Sequence, residues 1–225
     1  MLLLACATEM EAAGLPETFL RDPAFALLHL GVGPVESTLR LTSHLERLKK
    51  IPKVVFNFGV GGAYPGSGLQ LLDVCLAESE VLGDLGVETA GGIELLAPTI
   101  QPSSFFSADF GLLAKAVRIL KVSGLSVQAG PFVTVSCSSG TGRRGEMLRE
   151  KYDGICENME GGAVARVCSN YRIPFLEVRC ISNMVEDRDT SAWRLREAAY
   201  KAAQCAVIVA EGLANDPAAA SSTSP

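Results

Sequence analysis

Histidine, tryptophan and long apolar runs are scarce in this sequence, and each shortage closes off a class of function. Only His29, His44 and one tryptophan occur in 225 residues. Neither histidine stands at a metal-ligand spacing, so no metal site is expected. The seven cysteines, at 6, 75, 137, 156, 168, 180 and 205, include no C-x-x-C pair. Most sit in apolar runs, and buried free thiols are the expected state. No apolar run approaches the ~20 residues that cross a bilayer, so a soluble protein without a membrane partner is expected. The start, MLLLACATEM, has neither a positively charged opening nor a suitably placed small-residue cleavage site. It reads as a first strand rather than a secretion signal, and the expected compartment is the cytoplasm. A basic stripe is missing as well: 20 Lys and Arg are scattered among 25 Asp and Glu, for a net charge of −5. That argues against nucleic acid as a partner and leaves a small molecule.

The chain is long enough for one large core, whereas two independent domains would each be small. No internal repeat or linker appears. One domain over residues 1–214 is expected, with a disordered tail over 215–225 that lacks apolar periodicity. Apolar runs of strand length recur at Leu2–Ala7, Phe25–Leu30, Lys53–Phe58, Leu72–Ala77, Val127–Val135, Ile155–Cys156 and Phe175–Ile181. Several are apolar at nearly every position, as strands covered on both faces are. Helical patterns lie between them: Val35, Leu39, Leu41, Leu45 and Leu48 after a Gly-Pro, then Gly161–Tyr171 and Ser191–Leu213. In the last, Ala198, Ala202, Cys205 and Ala206 share roughly one face and would pack closely on a sheet. The alternation predicts an α/β fold, a three-layer sandwich with a central mixed sheet, whose ligands collect at the carboxyl ends of the strands.

Polar residues and glycines stand at those ends: Thr8 to Glu11, Gly31-Val32-Gly33, Gly59 to Gly62, Ser136 to Gly140, Asn158-Met159-Glu160 and Ser182-Asn183. Glycines admit a ligand close to the backbone, and the amide, hydroxyl and acidic groups direct hydrogen bonds. Val60, Gly61, Ser138, Ser139 and Ser182 are therefore candidates for touching a ligand, although each stretch alone could be a plain turn. Gly140 to Gly145 also spells G-x-G-x-x-G, the outline of a dinucleotide fingerprint. It sits past the middle of the chain, and the helix read after it, Glu146 to Lys151, is short for a crossover.

In this order, ATEMEA at 7–12, GVG at 31–33, NFGVGGA at 57–63, ENMEGGAVARVCSNYRIPFLEVRCISN at 157–183 and the Ala-rich last helix resemble the purine nucleosidase and phosphorylase family. That group includes methylthioadenosine/S-adenosylhomocysteine nucleosidase. The 157–183 block is the most specific, and the resemblance spans the expected ordered chain. Within the family, DLGVETAGG at 84–92, GPFVTVS at 130–136 and ISNMVEDRDTSAW at 181–193 are similar to the futalosine hydrolase branch, which serves menaquinone biosynthesis. The resemblance implies a nucleoside phosphorylase-like fold, hydrolysis of an N-glycosidic bond without a metal or organic cofactor, and a homo-oligomer. A neighbouring chain would close the 5′ side, and the 84–110 region is the candidate for that contact. Glu11 would activate water, Met159 and Glu160 would hold the ribose, and Asn183 would hold the purine. Alternatives are a methylthioadenosine or inosine nucleosidase, a purine nucleoside phosphorylase, a non-catalytic nucleoside sensor and a dinucleotide-binding protein.

The residue types suit those tasks. An oxocarbenium-like transition state gains from an anionic carboxylate below the sugar and from a water held for attack. Glu9 and Glu11 would point one way in an extended segment and diverge in a helical turn; acidic residues also favour helix starts on dipole grounds alone. Glu160, at a helix start, could accept from two ribose hydroxyls or merely cap the helix. Adenine-cleaving relatives carry aspartate where Asn183 stands. An amide instead offers N–H to O6 of a 6-oxopurine and C=O to a protonated N7, so hypoxanthine is the expected leaving base. An amide is no general acid, which leaves solvent, Glu186 or Asp187 to protonate N7. Arg188 and Arg194 are, by position in the sequence alone, the candidates to meet a carboxylate on the 5′ arm of such a substrate.

Overall fold

In the computed structural model, residues 1–97, 99–100 and 103–215 are described. All but the first residue of the tail expected to be disordered lies outside them. The first strand, β1 (Leu2–Cys6), is buried at every position. It lies parallel between β2 (Phe25–His29) and β3 (Val54–Ala63). Its alternate side chains part to opposite layers: Leu2, Leu4 and Cys6 into one core, Leu3 and Ala5 into another. That is the period-two geometry of a strand covered on both faces. β2, by contrast, is half-buried throughout because it closes the edge of the sheet.

Two single turns, α1 (Glu9–Ala12) and α2 (Glu17–Leu20), separate β1 from β2, and α3 (Pro34–Arg47) follows with proline in its first turn. Leu41 and Leu45 of α3 are buried, but Val35 and Leu39 are exposed, so only part of its apolar series faces the core. Next come β4 (Val74–Leu82), a separate hairpin of β5 (Gly86–Thr89) and β6 (Gly92–Leu95), β7 (Phe105–Ser107), α4 (Phe110–Val122) and β8 (Val127–Thr134). The chain ends with α5 (Gly142–Tyr152), β9 (Cys156–Asn158), α6 (Gly161–Tyr171), β10 (Phe175–Met184), a 3-10 turn at Thr190–Ala192 and α7 (Leu195–Ala214). The helix after Gly140-Thr141 is thus longer than its sequence suggests, and the last helix starts four residues later than the pattern at Ser191 implies.

The order β10-β4-β8-β9-β3-β1-β2 is mixed, and an extra pairing of β10 with β3 closes β3, β10, β4, β8 and β9 into a ring. This closure explains two differences from the sequence reading. Gly59 to Gly62 do not follow the third strand: they are its second half, paired with β10 on one side and, at Gly62, with β9 on the other. Side chains would not fit there, since a Cβ on Gly61 would lie 2.4 Å from Cys156 Sγ. Likewise Ser182 and Asn183 belong to β10. The register with β3 shifts between Ile181 and Asn183, a bulge at Ser182 of the kind that re-aims side chains.

α7 lays its small face on the sheet, with Ala198, Ala202, Cys205 and Ala206 all buried against Phe58, Val178 and Cys180. There is no slack for volume. Ala202→Leu should destabilise the protein by about 1–3 kcal/mol through overpacking, read as a lower urea midpoint; an unchanged midpoint would show that the helix can ride outward.

Candidate active site

Thr8 caps α1, and Glu11 at the third position returns a bond to the cap, so one helical turn settles which acidic residue turns inward. Glu9 is exposed and Glu11 is 3 % exposed. Glu11 Oε2 accepts from the amides of Ala7 at 2.9 Å and Thr8 at 3.1 Å, and Oε1 accepts from the amide of Val60 at 2.9 Å. Burial raises its pKa above the ordinary carboxylate value, while Arg179 and the Val60 amide pull the other way.

Arg179 is the cation at the centre. Its Nε donates to Glu177 Oε1 at 2.8 Å, Nη1 to the Val60 carbonyl at 3.0 Å, and Nη2 to Glu160 Oε2 at 3.3 Å and Asn158 Oδ1 at 3.4 Å. Burial alone would lower its pKa, but Glu177, Glu160 and Glu11 outweigh burial and raise it. Glu160 also accepts from the Gly33 amide at 3.0 Å, where Gly33 holds a φ of 89° that favours glycine. The capping alternative for Glu160 fails: its side chain makes no cap bond, and Asn158 Oδ1 accepts from the Glu160 and Gly161 amides instead. The carboxylate is left for other work.

At the other end, Asn183 Oδ1 accepts from Ser182 Oγ at 2.8 Å, and its Nδ2 donates to the Met184 carbonyl at 3.1 Å. Each end of the amide keeps one further hydrogen-bonding position. Ser139 is fixed by Glu157, donating its amide at 2.7 Å and its hydroxyl at 2.6 Å, and Tyr64 donates to the same carboxylate at 3.1 Å. Arg144, paired with Asp84 at 3.0 Å, braces the serine loop through the Cys137 carbonyl.

These groups surround one cavity of about 210 Å³, lined by Glu11, Val60, Gly61, Ser138, Ser139, Met159, Glu160, Ser182 and Asn183. All nine residues singled out from the sequence thus meet. The sequence reading gave no role to Glu157, Arg179 and Trp193, which line it too, and named Asn158 only as a strand-end residue. Arg179 did leave a signal: with Glu177 it interrupts an otherwise apolar buried strand, and two residues apart they share a face. Neither Glu186 nor Asp187 lines the cavity. Asp187 instead accepts from the Gly142 amide at 3.0 Å, filling the helix N-terminus that a dinucleotide phosphate would need. Arg194 is tied up by Glu197, whereas Arg188 lies over the Trp193 ring, 4.9 Å from its centroid. A larger cleft of about 840 Å³ between β7 and α6 has no buried carboxylate in its lining. Among the described residues, no group of three or more His, Cys, Asp or Glu could hold a metal ion, and no helix is long and apolar enough to cross a membrane. The seven cysteines are free thiols; Cys137 alone is exposed.

The model of the Phosphorylase superfamily matches residues 20–214. A futalosine hydrolase of Thermus thermophilus is 33% identical, over 96% of this chain and 99% of its own. Another, of Streptomyces coelicolor, is 30% identical, over 85% and 80% respectively. Among solved structures, a Helicobacter pylori 5′-methylthioadenosine/S-adenosylhomocysteine nucleosidase superposes with a TM-score of 0.82 at 19% identity, covering 93% of this chain and 97% of that one. The futalosine hydrolase of Helicobacter pylori superposes with the same score, identity and coverage.

Asn158 joins the cap of α6 to the buried ion pairs, and it also donates to Glu80 Oε1 at 2.6 Å. Asn158→Ala should therefore cost more than the ~0.5–2 kcal/mol of an ordinary cap loss, measured by chemical denaturation; a cost within that range would show that Arg179 and Glu80 find other partners.

Proposed function

The chain belongs to the phosphorylase superfamily, and on that premise we propose that it is a futalosine hydrolase of menaquinone biosynthesis, releasing hypoxanthine and dehypoxanthinyl futalosine. It is an N-glycosyl hydrolase. The observation that carries the finer reading is that a buried carboxylate, Glu11, and an amide, Asn183, face one small cavity with the carboxylate of Glu160 beside them.

Water suits this cavity better than phosphate does. Three carboxylates, Glu11, Glu157 and Glu160, line it, and its one guanidinium is already engaged by protein groups. A phosphate ~4 Å from a single carboxylate meets on the order of 4 kcal/mol of repulsion per charge at a surface-like dielectric. Glu11 takes a proton from water as the new O–C1′ bond forms, and its charge stabilises the cationic sugar while the C1′–N9 bond breaks. The bond's electron pair leaves with the base, and solvent protonates N7, since Glu186 and Asp187 lie off the cavity lining. Glu160 accepts from the ribose hydroxyls, and Met159 lies against the sugar. Asn183 presents N–H to O6 and C=O to protonated N7, a pattern that leaves a donor facing a donor if adenine binds. Val60, Gly61, Ser138, Ser139 and Ser182 complete the wall. Arg188 on Trp193 is the group we assign to the carboxylated aromatic 5′ arm, because Arg194 is paired elsewhere.

We infer a homo-oligomer in which a second copy closes the 5′ side. Exposed apolar side chains, Val32 at the cavity, Val35 and Leu39 on α3, and Leu85, Val87 and Phe105 in the 84–110 region, support it. Free thiols throughout suit a reducing compartment, the cytoplasm.

Futalosine should yield free hypoxanthine in phosphate-free buffer, followed by chromatography; a requirement for phosphate would make the protein a phosphorylase. Glu11 works only when ionised, and burial raises its pKa. Turnover should therefore fall with decreasing pH at a point above the ordinary glutamate value of about 4.3, and Glu11→Gln should abolish turnover far more than binding. Asn183→Asp should raise the rate of adenine release relative to hypoxanthine release, and an unchanged ratio in competition assays would return Asn183 to a merely local role.

A further inference from the structure

Behind the site lie two carboxyls that the reaction does not use. Glu80 of β4 and Glu177 of β10 are fully buried, and their carboxyl oxygens come together beneath the first turn of α6. A Cβ on Gly161 would lie 2.1 Å from Glu80 Oε1 and 2.4 Å from Glu177 Oε2, so the pair occupies the space a side chain would take. Glu80 receives two neutral donors, Thr134 Oγ1 at 2.7 Å and Asn158 Nδ2 at 2.6 Å. Glu177 Oε1 receives Arg179 Nε at 2.8 Å and Asn57 Nδ2 at 3.1 Å. Its Oε2 has no donor if both residues are carboxylates. A buried acceptor in that state is costly, and two adjacent carboxylates do not both ionise.

We propose that Glu80 is a neutral acid whose proton is donated to Glu177 Oε2, and that this pair is a positioning device holding Arg179 against Glu160 and Val60. The proton resides on Glu80 because Glu177 faces the guanidinium. The other charged groups of the cluster are Arg179 itself, Glu160 at the start of α6 and Glu11 from α1, so one cation stands among four carboxyls. Burial and the neighbouring Glu177 push the Glu80 pKa well above the ordinary value, in accord with the geometry. Ionising Glu80 would drive Glu177 away from it and pull the guanidinium off Glu160. The positioning role rests on the nucleosidase reading; the shared proton does not.

Infrared difference spectra of the parent against Glu80→Gln, at about pH 7 where a free carboxyl is ionised, should show a protonated-carboxyl C=O band in the parent alone. Its absence overturns the proposal whatever the substrate proves to be. A carboxyl that keeps its proton in the folded state makes stability fall as pH rises above its unfolded pKa, so between about pH 5 and 8 the parent should lose stability more steeply than Glu80→Gln. Parallel slopes would reduce the pair to packing. For turnover, Glu177→Gln removes the anion beside Arg179 and should lower kcat about tenfold or more, whereas Glu80→Gln keeps a neutral donor and should lose less; equal losses overturn the positioning role. Should Glu80→Gln fail to fold, carbon-13 NMR of glutamate side-chain carboxyls in Glu11→Gln must still show one protonated at about pH 7, and finding none refutes the pair.

Discussion

A single guanidinium buried among carboxyls dictates much of this structure. Arg179 is almost wholly buried, so each of its donors must meet an acceptor fixed by the fold. Glu177 must stand two residues before it on the same face of β10, Asn158 must end β9, and Glu160 must stand directly before α6. Gly59 leaves room for this arrangement: a Cβ there would lie 2.2 Å from Glu11 Oε1 and 2.8 Å from Arg179 Nη1. Structural demands and the roles proposed for the site therefore coincide at the same atoms. The ion pair that stabilises the buried charge also fixes the carboxylate assigned to the ribose.

Sheet closure makes the meeting possible. β3 is shared by β10 and β9, and at Gly62 both neighbours are paired to it, bringing Asn183 and Glu157 alongside one residue. The bulge at Ser182 changes the register just there. Glycines in the second half of β3 let the strands approach, and the cavity opens over that half. Residues 172 positions apart in the chain, Glu11 and Asn183, thereby line one small space.

The same electrostatics bears on the choice of nucleophile. A pocket rich in carboxylate with its one cation internally paired attracts a developing positive charge on the sugar and repels a phosphate dianion. Two helix N-termini are already satisfied, that of α5 by Thr141 and Asp187 and that of α6 by Asn158. The proposed recognition of the base is a separate matter, assigned to a short polar edge at Asn183 and the braced serine loop.

The sequence by itself determined the alternation of strands and helices, the two-sided burial of β1 and the residue types gathered at the strand ends, because these follow from local periodicity and from what each side chain can do. Glu11, Met159, Glu160 and Asn183, which line one cavity, were singled out through a block of motifs in a fixed order. Which of Glu9 and Glu11 turns inward, the continuation of β3 through Gly59 to Gly62, and the burial of Glu80 against Glu177 were decided only in the tertiary structure. Each depends on contacts between segments far apart in the chain: a glycine run reads as a turn until two other strands pair with it. An acidic residue in a strand likewise reads as exposed until an arginine 99 positions on, at 179, needs the anion that Glu80 protects.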